Sequence, residues 1–321
     1  HALIWFPWLM VCVQAGLALG WSVLFNSVQL YVEKRMYEQT LGLYLPPKLV
    51  KKFSRNSALR KPGAEKHELT LVFTDIADFT SISEGMDPDA LAAMMYQYFE
   101  RVIGECIHYT DGTVVKYIGD AVFAFWNAPE LQHDHALRAC EAALHFRKVE
   151  VKTAGGRLLR TRIGIHSGEA NVGNFGSAER FDYTAMGENV NLAARMEGLN
   201  KHLGTDCLIS GATRDEIGDR LVTRMVGRFQ LKGFEKPVEA YELVGWPAEA
   251  EASRPWREAF EQALQNYQAR NFEFAAIGFR QALTLRPDDG PSQYYLKRME
   301  EIAHELLPEE GWTGATVMKE K

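Results

Sequence analysis

The chain has 321 residues, of which 46% are hydrophobic and 24% are charged, and its formal net charge at pH 7 is -6. This composition excludes a disordered protein and is sufficient for one sizeable core with a smaller appendage. Because the net charge is negative, we expect no nucleic-acid partner, and an anionic ligand would have to be bound by local positive groups at a small-molecule site.

The first predicted element is a transmembrane helix over residues 1–32. From His1 to Val32 there is no Asp, Glu, Lys or Arg, and this apolar run exceeds the roughly 20 residues that a membrane-spanning helix needs. A signal peptide is the alternative, but signal peptides have a shorter apolar region that follows a basic start. Seven Lys or Arg residues between Lys48 and Lys66 predict, by the positive-inside tendency, a cytoplasmic domain anchored at the inner cell membrane.

Residues 33–66 are predicted to join this helix to a globular domain. They contain a helix-like piece with the sequence VEKRMYEQTLGLYL, a break at Pro46 and Pro47, and a second piece that is apolar and basic. Two interpretations stay open: a passive tether, or an element that couples the membrane helix to the domain that follows.

Residues 67–245 are predicted to form an α+β domain with an antiparallel-rich sheet and helices packed against it. The strand ELTLVFTDI is followed by a helix that opens at Asp87 and Pro88, and Gly119 and Asp120 mark the turn of a hairpin. Next come a helix over DHALRACEAALHFRKVE, a strand-turn-strand over RTRIGIHSGEANVGNF and a helix that includes YTAMGENVNLAARM, residues 183–196. A short strand CLIS, a helix TRDEIGDRL and a hairpin over VGRFQLKGFEKPVEAYELVG complete the domain.

Residues 250–321 are predicted to form a small helical tail. Ala275, Phe279, Ala282 and Pro287 have the spacing of the second half of a tetratricopeptide repeat. Because one repeat cannot bury its own apolar face, either the tail packs on the main domain or it offers a surface to a protein partner.

Two aspartates, Asp75 and Asp120, follow apolar strands at positions where a carboxylate is costly unless it is used. The fold can bring them together at one edge of the sheet, where they would form an oxygen site for Mg²⁺ or Mn²⁺. Asp120 alone is also explained as a turn residue after Gly119. Asp75 is harder to explain in that way, since the helix start that follows it can bind phosphate.

Three positive residues, Lys116, Arg162 and Lys232, interrupt otherwise apolar strands. Each one alone is typical of a solvated strand face. Together with the two aspartates they indicate a site for a polyphosphate with bound metal.

The histidines and cysteines predict no further metal site. His133 and His135 are two residues apart at a predicted helix start, so their side chains point apart and no zinc site is expected. The four cysteines are widely separated without CxxC spacing, which predicts packing roles in a reducing compartment.

The chain resembles the catalytic domain of the class III adenylate and guanylate cyclases through five ordered segments: FTDIADFTS, KYIGDAVFAFW, RIGIHSGEANVGNFG, YTAMGENVNLAARMEGL and LKGFEKPVEAYEL. The resemblance covers about residues 65–245 and includes both aspartates. It implies a ferredoxin-like βαββαβ fold. With the N-terminal helix and the tail, the whole chain is similar to membrane-anchored bacterial members of the family.

The resemblance also implies a role for each site residue. Asp75 and Asp120, with the backbone of Ile76, would hold two Mg²⁺ or Mn²⁺ ions per site. The backbone from Ile76 to Thr80, which includes Phe79, would cradle the triphosphate. The remaining matches are a purine-selecting pair, a ribose-orienting residue, a residue that stabilises the transition state and two contacts to the outgoing phosphates: Lys116 with Thr184, Asn191, Arg195, and Arg162 with Lys232.

The implied activity is the conversion of ATP to 3′,5′-cyclic AMP and pyrophosphate. A cation such as Lys116 suits the N1 acceptor of adenine, whereas guanine would call for a carboxylate. Adenylyl-type members usually carry Asp where this chain has Thr184, and the chain resembles a subgroup in which Thr replaces it and some members respond to bicarbonate. The alternatives are a guanylate or mixed-specificity cyclase and a catalytically weak nucleotide-binding signalling module.

The family acts as a head-to-tail homodimer with two sites at its interface. The resemblance therefore implies that one chain supplies Asp75 and Asp120 and the other supplies the purine, ribose and transition-state residues: Lys116, Thr184, Asn191 and Arg195. The membrane helix and residues 33–66 would then influence how the two halves meet, as expected of a signal-transduction enzyme.

Overall fold

The structure is a computed structural model that describes residues 8–42, 45, 48–50, 62–177, 179–304, 312 and 314–318. It divides into two compact units, His1–Arg60 and Lys61–Lys321. The predicted break at Pro46 and Pro47 and most of the basic segment after it lie outside the described residues.

The described part of the first unit consists mainly of helix α1, Trp8–Gly42. Among the residues that the structure describes, α1 is the one helix long and apolar enough to cross a membrane, with a mean hydropathy of 1.8 over an 18-residue window. No helix boundary follows Val32, where the sequence suggested that a separate coupling helix begins. The helix continues to Gly42 because Glu, Lys, Arg, Met and Gln all favour helix, and Lys34 Nζ lies 3.8 Å from Glu38 Oε1 one turn away.

The second unit is built on one mixed sheet with the strand order β2-β3-β1-β4-β6-β8-β7-β9, and β5 pairs with β4. Its described strands are β1 Gly63–Ile76, β2 Thr113–Ile118, β3 Ala121–Trp126, β4 Thr161–Gly176, β5 Phe181–Met186, β6 Cys207–Ser210, β7 Val222–Gln230, β8 Val238–Gly245 and β9 Ala315–Val317. Strand β1 begins inside the segment assigned to the linker from the sequence. Its pairing with β4 runs antiparallel from Gly63 opposite Asn174 to Ile76 opposite Thr161.

The described helices of this unit are α2 Phe79–Ser83, α3 Pro88–Arg101, α4 His135–Phe146, α5 Glu188–Leu203, α6 Gly211–Ile217, α7 Ala250–Gln268, α8 Phe272–Leu285 and α9 Gly290–His304. Asp87 caps α3 by accepting a hydrogen bond from Ala90 N at 3.1 Å, and α3 continues as a π-helical turn over Val102–His108. The succession β1-α3-β2-β3-α4-β4, with strand order β2-β3-β1-β4, confirms the ferredoxin-like βαββαβ prediction.

The two faces of the sheet carry different helices, because alternate residues of β1 point to opposite sides. Val72 and Ile76 belong to the core cluster under α3 and α4, whereas Leu69 and Leu71 belong to the cluster that contains Ala193 of α5. Helix α5 therefore covers the face opposite to α3 and α4.

Two local predictions are wrong, both at glycine-containing segments. Residues 183–186 were expected in a helix but belong to strand β5, and α5 begins at Glu188 after Gly187, whose φ is 147°. Aromatic and β-branched residues favour a strand at this point, and glycine readily adopts that positive φ.

The expected strand-turn-strand is instead the single strand β4. Its glycines resemble turn signals, but they permit close approach of other backbone: a Cβ on Gly164 would meet Glu197 N at 2.0 Å, and one on Gly173 would meet Gly63 O at 2.1 Å.

The tail packs on the rest of the unit, which is one of the two arrangements that the sequence left open. Buried Arg224 of β7 forms ion pairs with Glu242 of β8 and with Asp289, which precedes α9. Tyr295 Oη donates a hydrogen bond to Val226 O at 2.9 Å, and β9 adds a parallel strand to β7. A partner-binding role for the tail stays a prediction.

Candidate active site

A pocket of about 500 Å³ lies at the end of β1 and collects most of the predicted site residues. Its walls come from the end of β1, helix α2, the β2-β3 turn, the start of β4, one face of α5, the β7-β8 turn and the residue after β9. Eight of the eleven predicted residues line it: Asp75, Ile76, Phe79, Thr80, Asp120, Arg162, Arg195 and Lys232. The other three do not line this pocket: Lys116, Thr184 and Asn191.

Asp75 and Asp120 meet because β1 and β3 are neighbours in the sheet. Thr74 pairs with Val122, so Asp75 lies at the end of β1 next to the turn that precedes β3. Gly119 closes that turn with a φ of 66°, a conformation that favours glycine. Asp120 Oδ2 then accepts a hydrogen bond from Ile76 N at 3.1 Å, which fixes the second carboxylate beside the first.

The electrostatics of the pair favour a bound cation. Burial, followed by the negative charge of Asp120, raises the pKa of Asp75 to about 6. Arg162 lies opposite Asp75 in the sheet and its Nη1 is 3.6 Å from Asp75 Oδ2, which lowers this pKa without offsetting the other two effects. The pocket thus holds two adjacent carboxylates whose charge is only partly compensated.

The donor set fits a hard divalent cation. Among the residues that the structure describes there is no group of three or more His, Cys, Asp or Glu side chains arranged to hold a metal by themselves. Mg²⁺ or Mn²⁺ bound by one or two carboxylates normally completes its shell with water, backbone oxygens or substrate phosphates. Asp75 and Asp120 fit that pattern, and the pocket beside them is open to a phosphate-bearing ligand.

Glu197 is a pocket residue that the sequence analysis missed. It follows Arg195 by two positions on α5 and lines the pocket, and burial together with the charge of Asp75 raises its pKa to about 7. Its place two residues after Arg195 could have identified it as a pocket residue, but only if α5 had been known to lie against the end of β1. Lys201 and His202, one turn further along α5, also line the pocket and were missed for the same reason.

The backbone segment predicted to cradle a triphosphate is partly committed to other bonds. Ile76 N donates to Asp120 and Ala77 N donates to Arg160 O at 2.8 Å. Asp78 adopts a left-handed conformation with a φ of 60° and begins α2. The part of the predicted cradle that remains for a phosphate is therefore Asp78 to Thr80 rather than the whole of Ile76 to Thr80.

The three predicted residues outside the pocket lie on three different elements. Lys116 is exposed on β2 and Thr184 is buried on β5. Asn191 is exposed in the first turns of α5, one turn before Arg195.

A buried histidine fixes the start of α5. His166 Nε2 lies 2.9 Å from Asn189 Oδ1, its Nδ1 lies 2.7 Å from Ser210 Oγ, and Asn189 Nδ2 donates to Glu169 O at 2.8 Å. Burial lowers the pKa of His166, so the ring is neutral and holds Asn189 and Ser210 through its hydrogen bonds. This positioning residue was also missed from the sequence.

Comparisons with known proteins agree with this geometry. The family described as the adenylate and guanylate cyclase catalytic domain matches residues 62–245. Adenylate cyclase 1 of Rhizobium meliloti (strain 1021) is 42% identical over 212 residues, which are 64% of this chain and 32% of that protein. The chain thus spans about a third of the length of that relative.

Two solved structures share the fold of the matched region. The adenylyl cyclase CyaB from P. aeruginosa is 30% identical with a TM-score of 0.51, and the match covers 57% of this chain and 96% of that one. The guanylyl cyclase Cya2 is 33% identical with a TM-score of 0.51, over 58% of this chain and 95% of that one. Similarity to these structures does not distinguish adenine from guanine as the base of the substrate, because one is named an adenylyl cyclase and the other a guanylyl cyclase.

Proposed function

Because the chain belongs to the adenylate and guanylate cyclase catalytic-domain family, we propose that it is an adenylate cyclase, which converts ATP to 3′,5′-cyclic AMP and pyrophosphate. The observation that carries this proposal is the pairing of Asp75 and Asp120 in one pocket with Arg162 and Lys232. Two carboxylates for metal and two cations for phosphate are the charges that a metal-bound triphosphate requires.

Asp75, Asp120 and the Ile76 carbonyl are the proposed ligands for two Mg²⁺ or Mn²⁺ ions. When bound, these ions would lower the pKa of the ribose 3′-hydroxyl and neutralise charge on the triphosphate. The hydrogen bond from Ile76 N holds Asp120 in place for this role. No side chain in the pocket has to act as a general base if the hydroxyl proton is lost in this way.

The positively charged side chains bind different phosphates of the substrate. Arg162 and Lys232 bind the β- and γ-phosphates, which leave together as pyrophosphate. Arg195 binds the α-phosphate oxygens as the 3′-oxygen attacks in line, and its planar guanidinium can contact two of those oxygens at once, which a lysine cannot. Asn191, one helical turn away, orients the ribose that is joined to that phosphate.

Selection of the purine is assigned to Lys116 and Thr184. A lysine ammonium can donate to N1 of adenine, whereas guanine carries a hydrogen on N1 and an amino group on C2 and offers the cation no acceptor at N1. The Thr184 hydroxyl can donate or accept, so it supports adenine binding while excluding guanine less strictly than a carboxylate would. The guanylyl cyclase among the similar structures keeps a guanylate or mixed-specificity cyclase as the second candidate.

We infer that two copies of the chain form each site. Lys116, Thr184 and Asn191 do not line the pocket of their own chain, which supports their action on a nucleotide bound mainly by a second chain. Arg195 does line the pocket of its own chain, at the border between α5 and the pocket. In the proposed head-to-tail dimer this border faces the partner, so Arg195 acts on the nucleotide held by the partner's aspartates.

Helix α1 supports anchoring at the cell membrane, with the catalytic unit in the cytoplasm. The helix is apolar over a length sufficient for a membrane span, and it continues into a polar stretch before Gly42. A helix that continues beyond its apolar part can carry a change in the membrane segment to the chain that follows, as expected in signal transduction.

The test is a cyclase assay of the full chain with ATP and with GTP, each with Mg²⁺ and with Mn²⁺. We expect cyclic AMP as the main product, with kcat/KM for ATP above that for GTP, and almost no product from Asp75→Ala. A higher kcat/KM for GTP would overturn the substrate assignment. Nucleotide binding without either cyclic product would favour the catalytically weak signalling module.

A further inference from the structure

The C-terminal end of the described chain reaches the candidate active site. Met318, directly after β9, lines the same pocket as Asp75 and Lys232. The family match ends at residue 245, so this contact is an addition to the matched domain. We propose that Met318 is a wall of the nucleotide pocket and that the β9 backbone positions the turn that carries Lys232 for triphosphate binding.

The pairing of β9 holds the strand that leads into this turn. Strand β9 runs parallel to the end of β7, from Arg228 opposite Ala315 to Gln230 opposite Val317, and Met318 N donates to Gln230 O at 3.0 Å. Strand β8 pairs with the other edge of β7 at Arg228 and Phe229. Arg228 and Phe229 are therefore paired on both edges, and Gln230, immediately before Leu231 and Lys232, is held by β9 alone.

The turn itself is short and closed. Phe234 N donates to Leu231 O at 3.1 Å, and Gly233 between them has a φ of 90°, in the region that favours glycine. The Gln230 side chain donates to Phe234 O. Lys232 thus projects from a turn whose base is the β7 segment paired with β9, so a shift of β9 would move the Lys232 ammonium.

Met318 connects the two walls of the pocket. Its side chain packs against the buried cluster that contains Leu231 of the turn and Met196 and Leu199 of α5. The hydroxyl of Tyr294 on α9 lies 3.7 Å from the Met318 sulfur. The thioether is uncharged and therefore adds no repulsion toward a triphosphate, whereas a carboxylate at this position would repel one.

The tail has a second attachment that does not depend on Met318. Asp289 pairs with Arg224 and accepts hydrogen bonds from both Ser292 N, at 3.1 Å, and Ser292 Oγ at the start of α9. A Cβ on Gly290 would meet Leu203 O at 2.2 Å, so this end of α9 lies directly against the end of α5. A substitution at position 318 should consequently leave the tail folded and docked.

The experiment compares Met318→Glu, Met318→Leu and Val317→Glu in the full chain. The Val317 side chain is 60% exposed and does not line the pocket, so its variant adds the same charge one residue away. We expect Met318→Glu to raise the KM for ATP by about fivefold to tenfold with a smaller change in kcat, since a partly screened charge at a pocket wall is worth about 1 kcal/mol. Met318→Leu should retain a KM closer to that of the unmodified chain, and Val317→Glu should change it less than about twofold.

The proposal rests on the proposed function only for the identity of the nucleotide, and the two can fail separately. An equal KM increase for Met318→Glu and Val317→Glu, or no increase for either, would overturn the pocket-wall proposal while cyclase activity persists. If the unmodified chain makes no cyclic nucleotide, the same three variants are compared by the Kd of a fluorescent ATP analogue with Mn²⁺. A selective loss of affinity in Met318→Glu would support the wall in that case, and unchanged affinity would refute it.

Discussion

At the scale of single residues, the site depends on two adjacent carboxylates, and the charge of Asp75 destabilises the protein when no metal is bound. The pKa of Asp75, about 6, lies above the 3.8 of an ordinary aspartate, so the folded state holds this proton more tightly than the unfolded state. The stability that the protonated Asp75 contributes is fully present below pH about 4 and is lost as the pH rises through about 6. Cation binding and proton binding at Asp75 are therefore expected to compete.

The corresponding prediction concerns Asp120→Asn in metal-free protein. Removing the neighbouring charge should raise the free energy of unfolding at pH 7.5 by about 1 kcal/mol, a value reduced for partial solvent screening at Asp75. The asparagine oxygen can still accept the hydrogen bond from Ile76 N. The measurement is urea denaturation in the presence of a chelator, and cyclase activity should be lost in the same variant.

The same variant at pH 4.5 is the control, since Asp75 is then mostly protonated and little gain is expected. A loss of stability at pH 7.5 would show that Asp120 is needed for the fold rather than for the cation.

The sequence alone predicts that two residues lie close together where their positions next to apolar strands are enough to determine it. Asp75 and Asp120 each terminate or precede an apolar strand of one sheet, so their proximity could be predicted. Glu197 and His166 could not, because their importance depends on which helix face meets the end of β1 and on a contact between β4 and the start of α5. Those relations are fixed by tertiary packing, and no local pattern records them.

At the scale of elements, helix α5 is positioned by its close contact with β4. Gly164 and Ala193 are part of this contact, where a Cβ on the glycine would lie 2.6 Å from Ala193 O. The glycine pattern of β4 suggests a turn because glycine is common in turns, yet here it permits a helix to approach a strand. Sequence patterns alone cannot separate these two uses of glycine.

We expect Gly164→Ala to destabilise the protein by about 1–3 kcal/mol through overpacking and to lower kcat, because a displaced α5 carries Asn191 and Arg195 with it. Gly104→Ala is the matched control, since a Cβ at Gly104 meets nothing within 4 Å. Thermal unfolding and a cyclase assay on both variants make the comparison. A Gly164→Ala protein with the stability and kcat of the control would show that α5 is not held by this contact.

At the scale of the whole molecule, the catalytic domain and the tail form one compact unit, residues 61–321. The sequence predicted a boundary near residue 246 and left the role of the tail open between packing and partner binding. The deciding contact is a buried ion pair between Arg224 and Asp289, residues far apart in the chain whose pairing no periodicity reveals. The local composition of the tail resembles a repeat, whereas its attachment is specific to this fold.

We expect Asp289→Ala to lower the free energy of unfolding by about 3 kcal/mol, because it leaves the buried Arg224 guanidinium incompletely paired. Arg228→Ala is the control, since Arg228 and Glu239 form an exposed pair at 3.9 Å that should contribute less than about 0.5 kcal/mol. Urea denaturation followed by two probes, one in the sheet and one in the tail, measures both. Separate transitions for the two probes in the unmodified chain would contradict the single unit.

The most direct test of the central claim, a cyclase site completed by two chains, is complementation between Asp75→Ala and Arg195→Ala. Each variant alone should be nearly inactive. Random pairing of equal amounts makes half of the dimers mixed, and each mixed dimer keeps one intact site of two, so about a quarter of the original activity should return. If mixed dimers form, as shown by co-purification through two different tags, and the mixture stays inactive, then Asp75 and Arg195 act within the same chain and the shared-site account is wrong.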